Sequence, residues 1–246
     1  MASYSSSIAP ALREPPKTSR PLPPLEQGDR LTRAEFLRRY AAMPAKVKAE
    51  RIEGIVHMPA AAVSAEFHGQ PHAHIMGWLC IYESLTPGVV AADNSTVALD
   101  IDNDPQPDAC LRILPSHGGA SKLNAEGYIE GSPELVVEVA ASSLSFDLGA
   151  KLNAYRRNGV REYIVHRTYD GAVDWFILRE GQYERLSPDE QGIYHSQVFP
   201  GLWLKAEALI TGKIAELLAV LQQGASSPEH GQYVIALETR RLQGGL

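Results

Sequence analysis

The sequence lacks the features that define several classes of protein. Only two cysteines are present, Cys80 and Cys110, and their spacing supports neither a disulfide framework nor a zinc ribbon. No apolar run reaches the roughly 20 residues needed to cross a bilayer, and the N-terminus has no compact apolar stretch of a secretory signal. These absences predict a cytoplasmic protein that is not inserted in a membrane.

Basic residues are also scarce relative to acidic ones, since the formal net charge is −6. Proteins that coat nucleic acid without sequence preference are usually basic, so this balance counts against that role. It leaves open an enzyme with a local basic groove. Carboxylates clustered around a divalent cation would themselves contribute negative charge.

The chain divides into a short leader and one domain. Its 44% hydrophobic and 21% charged residues are typical of a globular protein, and 246 residues suit one sizeable core. Residues 1–28 are rich in serine and proline and show no apolar period, which predicts a disordered leader. Residues 29–246 are expected to form a single domain that ends in C-terminal helices.

Local patterns predict a mixed fold. Thr32 and Glu35 have the spacing of a capping box, which starts a helix that should run to about residue 42. Further helices are predicted over 71–85, 147–158 and 206–221, and from Pro228. Strands are predicted over 51–58 as a hairpin that turns at Glu53-Gly54, as a pair around Asp93-Asn94, over 109–114, 134–140 and 162–166, and as a hairpin over 174–186. This order predicts an α/β (α+β) fold, in which helices pack against a mixed sheet.

One predicted strand carries an acid among apolar residues. Glu138 lies inside the run 135–140, whose nearly continuous apolar character is typical of a strand covered on both faces. An ionised carboxylate there is costly unless it is paired or bound to a metal. A functional role is favoured because buried acids are rarely kept without a partner. The structural alternative is a strand-end residue that reaches solvent or an arginine.

Two further charged residues flank that strand in sequence. Asp108 follows Pro107 directly, where a solvated turn acid is the usual case, but together with Glu138 it could hold one hard cation through oxygen. Lys151 borders the apolar face of the helix predicted over 147–158. Spacing alone leaves two interpretations of Lys151 equal, namely a functional ammonium and a lysine whose stem covers the core edge.

Three other patterns are weaker. His68 and His72 have the i, i+4 spacing of a helical metal pair, but Gly69 and Pro71 interrupt it. Zinc is therefore disfavoured. The preferred interpretation is that one histidine, His72, lies near the cleft that would contain Asp108 and Glu138. The acidic segment 100–104 begins like a calcium loop but is followed by neither its glycine nor its closing glutamate. The arginines within 156–167 could contact phosphates, although a solvated helix end is the simpler explanation.

Several segments together resemble a known family. The segments PQPDACLRI (105–113), PELVVEVAASS (133–143) and DLGAKLNAYRRNGVREYIV (147–165) look like the Uma-two family of endonucleases, a branch of the PD-(D/E)XK superfamily. The segments ERIEGIVHMP (50–59) and FPGLWL (199–204) are similar to that family's first and closing segments. The resemblance covers roughly residues 30–205, and the combination and order of the segments are specific.

The resemblance implies a restriction endonuclease-like fold and a site that depends on Mg²⁺ (or Mn²⁺) and cleaves phosphodiester bonds. Carried over by position, Asp108 and Glu138 are its metal ligands, Lys151 is its catalytic lysine and Glu50 is an additional acid. Ala140 stands where the superfamily's namesake motif has lysine. The Uma-two branch shows the same shift of the lysine to the next helix.

The expected function is therefore that of an endonuclease acting on nucleic acid, with DNA as the expected substrate, and the resemblance also allows a homodimer. The alternative is a catalytically silent member that binds nucleic acid or a protein through the same cleft. A glycosidase with paired carboxylates is disfavoured because it leaves Lys151 without a role.

Overall fold

The computed structural model describes residues 21–44, 47–59 and 63–244. In chain order the strands are β1 (Glu50–Ile52), β2 (Ile55–His57), β3 (Val89–Asp93), β4 (Val97–Ala98), β5 (Ala109–Ile113), β6 (Lys122–Leu123), β7 (Ile129–Glu130), β8 (Leu135–Ala140), β9 (Glu162–Arg167), β10 (Ala172–Arg179), β11 (Gln182–Arg185), β12 (Ile193–His195) and β13 (Trp203–Lys205). The helices are α1 (Arg33–Tyr40), α2 (Gln70–Leu85), α3 (Leu144–Phe146), α4 (Leu152–Arg157), α5 (Ala206–Ile210), α6 (Ile214–Ala225) and α7 (Pro228–Gln243). Within these ranges no helix is both long and apolar enough to span a membrane.

A six-stranded sheet with the order β11-β10-β9-β8-β5-β3 forms the centre of the fold. Strands β8 and β9 pair in parallel, with Glu138 opposite Val165, and the other neighbours pair antiparallel. The parallel pair requires a crossover, which the helical segment containing α3 and α4 provides. The expected mixed sheet flanked by helices is confirmed.

Apolar residues cover the central sheet on both faces, which explains the nearly continuous apolar sequence of β8. Val137 belongs to one core, where Trp78 of α2 meets Trp175 of β10 edge to face at 6.2 Å. Val136 belongs to the other core, which includes Tyr155 of α4. Because side chains alternate along a strand, Glu138 lies on the same face as Val136 and points towards α4.

The hairpin β1–β2 lies outside the central sheet and turns as its sequence predicts. Glu53 and Gly54 both have positive φ, 54° and 74°, as a tight two-residue turn requires. The buried guanidinium of Arg51 donates to Asp104 at 2.6 and 2.9 Å, which anchors the hairpin to the domain. Helix α1 begins after Thr32, whose hydroxyl accepts from the backbone N–H of Glu35, so the predicted cap is confirmed.

The predicted leader is too long. Leu25 is only 3% exposed and packs with Phe36 and Val56, and the N–H of Gly28 donates to the carbonyl oxygen of Val56 at 2.9 Å. One buried leucine, with no periodic pattern around it, is enough to hold this segment on the domain. The remainder of the leader prediction, over residues 1–20, lies outside the described residues.

Two other predictions about the elements are wrong. The strands around Asp93-Asn94 do not pair with each other, because β3 pairs with β5 and β4 pairs in parallel with β7. The helix predicted over 206–221 is two helices, since Gly212 adopts φ of 68° and ends α5 before α6 begins. Helix 147–158 forms, but its first turn is a π-helical segment, Asp147–Lys151.

Candidate active site

A cavity of about 410 Å³ opens at the ends of β5 and β8. Its lining brings together residues that are far apart in sequence. They include Glu50, Asp108, Glu138 and Lys151, all four residues that the sequence assigns to the site, together with Asp147 and His68. Their roles in binding or chemistry are argued from the geometry below.

Glu138 is the centre of this cluster. It is 3% exposed, and its Oε1 accepts two hydrogen bonds, from Lys151 Nζ at 2.9 Å and from the Tyr155 hydroxyl at 2.8 Å. Both donors come from the helical segment that crosses over from β8 to β9. Among the described residues no hydrogen bond reaches Oε2 of Glu138, which is therefore the oxygen free for a ligand.

Asp108 lies beside Glu138 across the sheet. Ala109 pairs with Val137, so the preceding residue on β5 and the following residue on β8 are neighbours on the same face. One oxygen of Asp108, Oδ2, accepts from the backbone N–H of Val139 at 2.7 Å. The other, Oδ1, lies 3.4 Å from Nε2 of His68. Asp108 thus resembles Glu138 in that a hydrogen bond holds one of its two oxygens in place.

Glu50 reaches the cluster from the hairpin. Its Oε2 lies 3.0 Å from Lys151 Nζ and accepts from the backbone N–H of Gln106 at 3.1 Å. The next residue, Arg51, forms the buried ion pair with Asp104 described above, so the hairpin anchor also positions Glu50. The sequence alone did not indicate that this anchor exists.

Lys151 is not a surface lysine with a solvated head, because it is 4% exposed and its ammonium lies among carboxylates. The interpretation as a stem that merely covers the core edge is wrong. Its Nζ donates to Glu138 Oε1 at 2.9 Å and forms an ion pair with Glu50 Oε2 at 3.0 Å, and Asp147 Oδ1 lies 3.8 Å away.

Sequence reasoning missed two residues of the site. Asp147 is 1% exposed and accepts from the Ser143 hydroxyl at 2.5 Å. No role in the site was predicted for Tyr155, whose hydroxyl donates to Glu138. Both lie four residues from Lys151, and this i, i+4 spacing on either side of a candidate catalytic lysine was the signal that could have found them.

Four carboxyl groups share this cluster with a single ammonium, so that full ionisation would leave a net negative charge. Burial raises the pKa of Glu138 well above its usual range, and the nearby carboxylates Asp147, Asp108 and Glu50 raise it further, against the opposing effect of Lys151. Burial likewise raises the pKa of Asp147 to about 6. Burial alone would lower the pKa of Lys151, but Glu138, Glu50 and Asp147 outweigh it and keep the ammonium charged. The site therefore favours an additional cation.

A divalent metal ion suits these donors. Glu138 and Asp108 are carboxylates that line one cavity, and hard cations such as Mg²⁺ prefer oxygen ligands. Within the described ranges, no group of three His, Cys, Asp or Glu side chains is already arranged as a metal site.

His68 and His72 have different hydrogen-bond partners, although their ring centroids lie only 5.7 Å apart. His68 lines the cavity, with its Nδ1 3.1 Å from the carbonyl oxygen of Val139. His72 does not line it; its Nε2 lies 2.9 Å from the carbonyl oxygen of Asp108 and 2.9 Å from Asp93. The histidine at the cleft is therefore His68 and not the predicted His72, because the π-helical turn before α2 directs His68 inward.

The acidic segment 100–104 has a structural role. Asp100 accepts from Asn158 at 2.7 Å and from Asn103, and Asp104 is neutralised by Arg51 and Arg33. These carboxylates hold the hairpin and the end of α4 in place. Rejection of a calcium loop there agrees with these contacts.

Known proteins share this fold. The structure is similar to a crystal structure titled "putative nuclease belonging to DUF820" from Anabaena variabilis, with 13% identity and a TM-score of 0.52 over 71% of this chain and 97% of that chain. At this identity the likeness concerns the fold alone, a mixed sheet flanked by helices. No curated protein matches the sequence.

The sequence also matches a family model. Residues 33–207 match the model of the Uma2 (Uma-two) family, which is described as "Putative restriction endonuclease". The chain belongs to this family, and the family resemblance drawn from the sequence is confirmed. The matched range contains Glu50, Asp108, Glu138 and Lys151.

Proposed function

We propose that this protein is a metal-dependent endonuclease that hydrolyses phosphodiester bonds in DNA. The observation that carries the proposal is the meeting of Asp108, Glu138, Lys151 and Glu50 at one cavity, although they come from four separate segments. Membership of a family described as restriction endonucleases supports the same chemistry.

Each residue of the cluster has a role in this proposal. Glu138 and Asp108 would hold Mg²⁺ or Mn²⁺, which when bound would stabilise charge on the phosphoryl group and acidify water. Lys151 stabilises a phosphoryl oxygen as negative charge develops there. Glu50 and Glu138 fix the ammonium, so that little reorganisation is needed when the substrate reacts.

Cleavage of plasmid and oligonucleotide DNA by the purified protein tests the proposal. Wild type should cleave with Mg²⁺ or Mn²⁺ and not with EDTA, and Asp108→Asn and Glu138→Gln should lose activity. Lys151→Met should lower the cleavage rate on the order of a hundredfold or more, the size of effect seen when a preorganised electrostatic group is removed.

A matched control is Glu134→Gln. Glu134 is also a buried acid next to β8, but it accepts from the backbone N–H groups of Ile113 and Ala120 and not from Lys151. When folded, this variant should keep wild-type cleavage. Metal-independent cleavage, or equal activity in wild type and Glu138→Gln, would contradict the proposal.

One contact favours the silent alternative. The Lys151 ammonium lies between Glu50 and Glu138 and satisfies both carboxylates directly. A protein that had lost catalysis could keep this arrangement as an internal ion cluster. In that case Mn²⁺ should leave the melting temperature unchanged and no DNA should be cleaved, whereas a true metal site is stabilised by its ligand.

A further inference from the structure

Two stacked aromatic rings lie beside the cavity, and one of them, Tyr169, belongs to its lining. Phe67 lies on the π-helical turn Ala65–Gly69, and Tyr169 lies in the turn between β9 and β10. Their rings are stacked, with centroids 4.4 Å apart and planes 30° apart. Tyr169 lines the cavity and is nevertheless 63% exposed, so contact with Phe67 covers only part of it.

Both rings are held close to β8, the strand that carries Glu138. Phe67 precedes His68, whose Nδ1 lies 3.1 Å from the carbonyl oxygen of Val139. Tyr169 follows Thr168, whose backbone N–H donates to the carbonyl oxygen of Ala140 at 3.1 Å. Hydrogen bonds to two successive residues of β8, just past Glu138, therefore hold the aromatic pair beside the acidic cluster.

The charges around the cavity do not suit continuous duplex DNA. Binding of duplex depends on cations that neutralise phosphates. Among the described residues, two lysines line the cavity, Lys48 and Lys151, against four carboxylates. Lys151 is already engaged by Glu50 and Glu138, and Lys48 contacts the side-chain oxygen of Asn94.

The nearby arginines are engaged as well. Arg167 lies 2.6 Å from Asp170 and 2.9 Å from Asp174, and Arg157 lies 2.7 Å from Glu53. Attraction between these side chains and a phosphate backbone is offset by their acidic partners. Binding energy at this site must come largely from a source other than charge.

Stacking supplies such a source. An exposed aromatic ring binds any unpaired base, because every base has a π face. A cavity of about 410 Å³ has the size of a small-ligand pocket. This volume suits one nucleotide more closely than a double helix.

We infer that Phe67 and Tyr169 form a stacking platform for an unpaired base, so that the site takes single-stranded DNA in preference to continuous duplex. This inference rests on the proposed function, because it names the substrate form for the same site. Tyr169 presents its open face to the base, and Phe67 supports the ring from behind. The adjoining phosphate then lies towards Lys151 and the two acids.

Binding can be measured apart from cleavage. The probe is a single-stranded oligonucleotide that contains 2-aminopurine, whose fluorescence falls when the base stacks, and the same strand annealed to its complement. Titrations are done in Ca²⁺ and in EDTA, and gels verify that the strands stay intact. Wild type should bind the single strand more tightly than the duplex and should quench 2-aminopurine.

Variants at Tyr169 test whether the aromatic platform is responsible for the binding of the single strand. Tyr169→Ala should raise Kd for the single strand by about 5- to 150-fold, the range for one stacked base, and abolish the quenching. Tyr169→Phe keeps the ring and should behave as wild type. Ile235→Ala, which removes a comparably exposed side chain (68%) on α7, should have no effect.

The dependence of Kd on salt provides an independent measurement. Loss of stacking should leave the slope of log Kd against log salt unchanged, because no phosphate contact is lost. Equal Kd values for Tyr169→Ala and wild type, tighter binding of duplex, or no binding of the single strand would overturn the inference. If the platform binds the single strand but Mn²⁺ supports no cleavage, the inference stands and the proposed hydrolysis fails.

Discussion

At the scale of single residues, the geometry of the site depends on how each carboxylate uses its two oxygens. Oε1 of Glu138 accepts hydrogen bonds from Lys151 and Tyr155, and Oδ2 of Asp108 accepts one from the backbone N–H of Val139. The other oxygens, Glu138 Oε2 and Asp108 Oδ1, take no part in these hydrogen bonds. The donors that hold the first oxygens therefore determine which atoms remain for a metal or a substrate.

Tyr155→Phe tests this division of the oxygens. The change removes one donor to Glu138 and keeps the ring, which is fully buried. A hydrogen bond to a charged group contributes about 1.5–3 kcal/mol, so the free energy of unfolding should fall by that amount. Because Glu138 is then held by Lys151 alone, the melting-temperature shift caused by Mn²⁺ should shrink and the cleavage rate should fall.

Tyr194→Phe is the matched control. The Tyr194 hydroxyl is buried too, but it donates to the neutral carbonyl oxygen of Val173 at 3.2 Å, away from the cavity. Its loss should cost about 0.5–1.5 kcal/mol and leave the metal response intact. Urea unfolding and melting curves with and without Mn²⁺ measure both variants. Equal metal responses in the two variants would show that Tyr155 does not position Glu138.

At the scale of elements, the site is assembled from a strand, a crossover helix and a hairpin that have separate anchors. Parallel pairing of β8 with β9 places the crossover segment over Glu138. The hairpin that carries Glu50 is held by Arg51 and Asp104 on one side and by the segment around Leu25 on the other. A substitution that weakens one of these anchors should therefore disturb the site, although no residue of the site itself is changed.

Leu25→Ala tests the corrected domain boundary. Leu25 packs with Phe36, Val56 and Ala49, and Ala49 directly precedes Glu50. Replacement of a buried leucine by alanine typically costs 2–5 kcal/mol, so we expect a loss of about 2 kcal/mol or more in the free energy of unfolding. Leu242→Ala, at a residue that is 62% exposed, should stay within about 0.5 kcal/mol of wild type. If urea unfolding gives the same stability for both variants, residues 21–28 belong to the leader after all.

At the scale of the whole molecule, a buried histidine makes the fold sensitive to acid. His166 of β9 is 2% exposed, and burial lowers its pKa from 6.5 to about 4, with His74 adding to the effect. In the unfolded chain His166 therefore binds a proton near pH 6.5, whereas in the folded protein it does so only when the pH falls to about 4. The contribution of neutral His166 to the free energy of unfolding is fully present above pH 6.5 and is lost as the pH falls towards 4.

His166→Leu should remove this loss of stability, which is at most about 3 kcal/mol for a pKa difference of this size. His166→Gln also lacks a titrating group and should show the same pH dependence, whatever its absolute stability. Urea unfolding of wild type and both variants between pH 7 and pH 4 measures the slopes. Parallel curves for all three proteins would mean that His166 does not contribute to acid sensitivity.

Sequence alone determined the elements whose signals are local. The cap at Thr32, the turn at Glu53-Gly54 and the succession β8, crossover helix and β9 all follow from patterns within a few residues. The family resemblance then supplied the set Glu50, Asp108, Glu138 and Lys151. Spacing by itself left Lys151 undecided, because it defines a face of a helix but not what covers that face.

Tertiary structure decided the features that depend on distant segments. Strand β3 pairs with β5 across a loop, Leu25 fills a gap under the hairpin, and His68 takes the place expected for His72. The burial of Asp147 and the hydrogen bond from Tyr155 to Glu138 exist only once the crossover helix lies on β8. The physical reason is that propensity and periodicity act within one turn or one strand, whereas desolvation, ion pairing and strand partnership are set by which segments pack together.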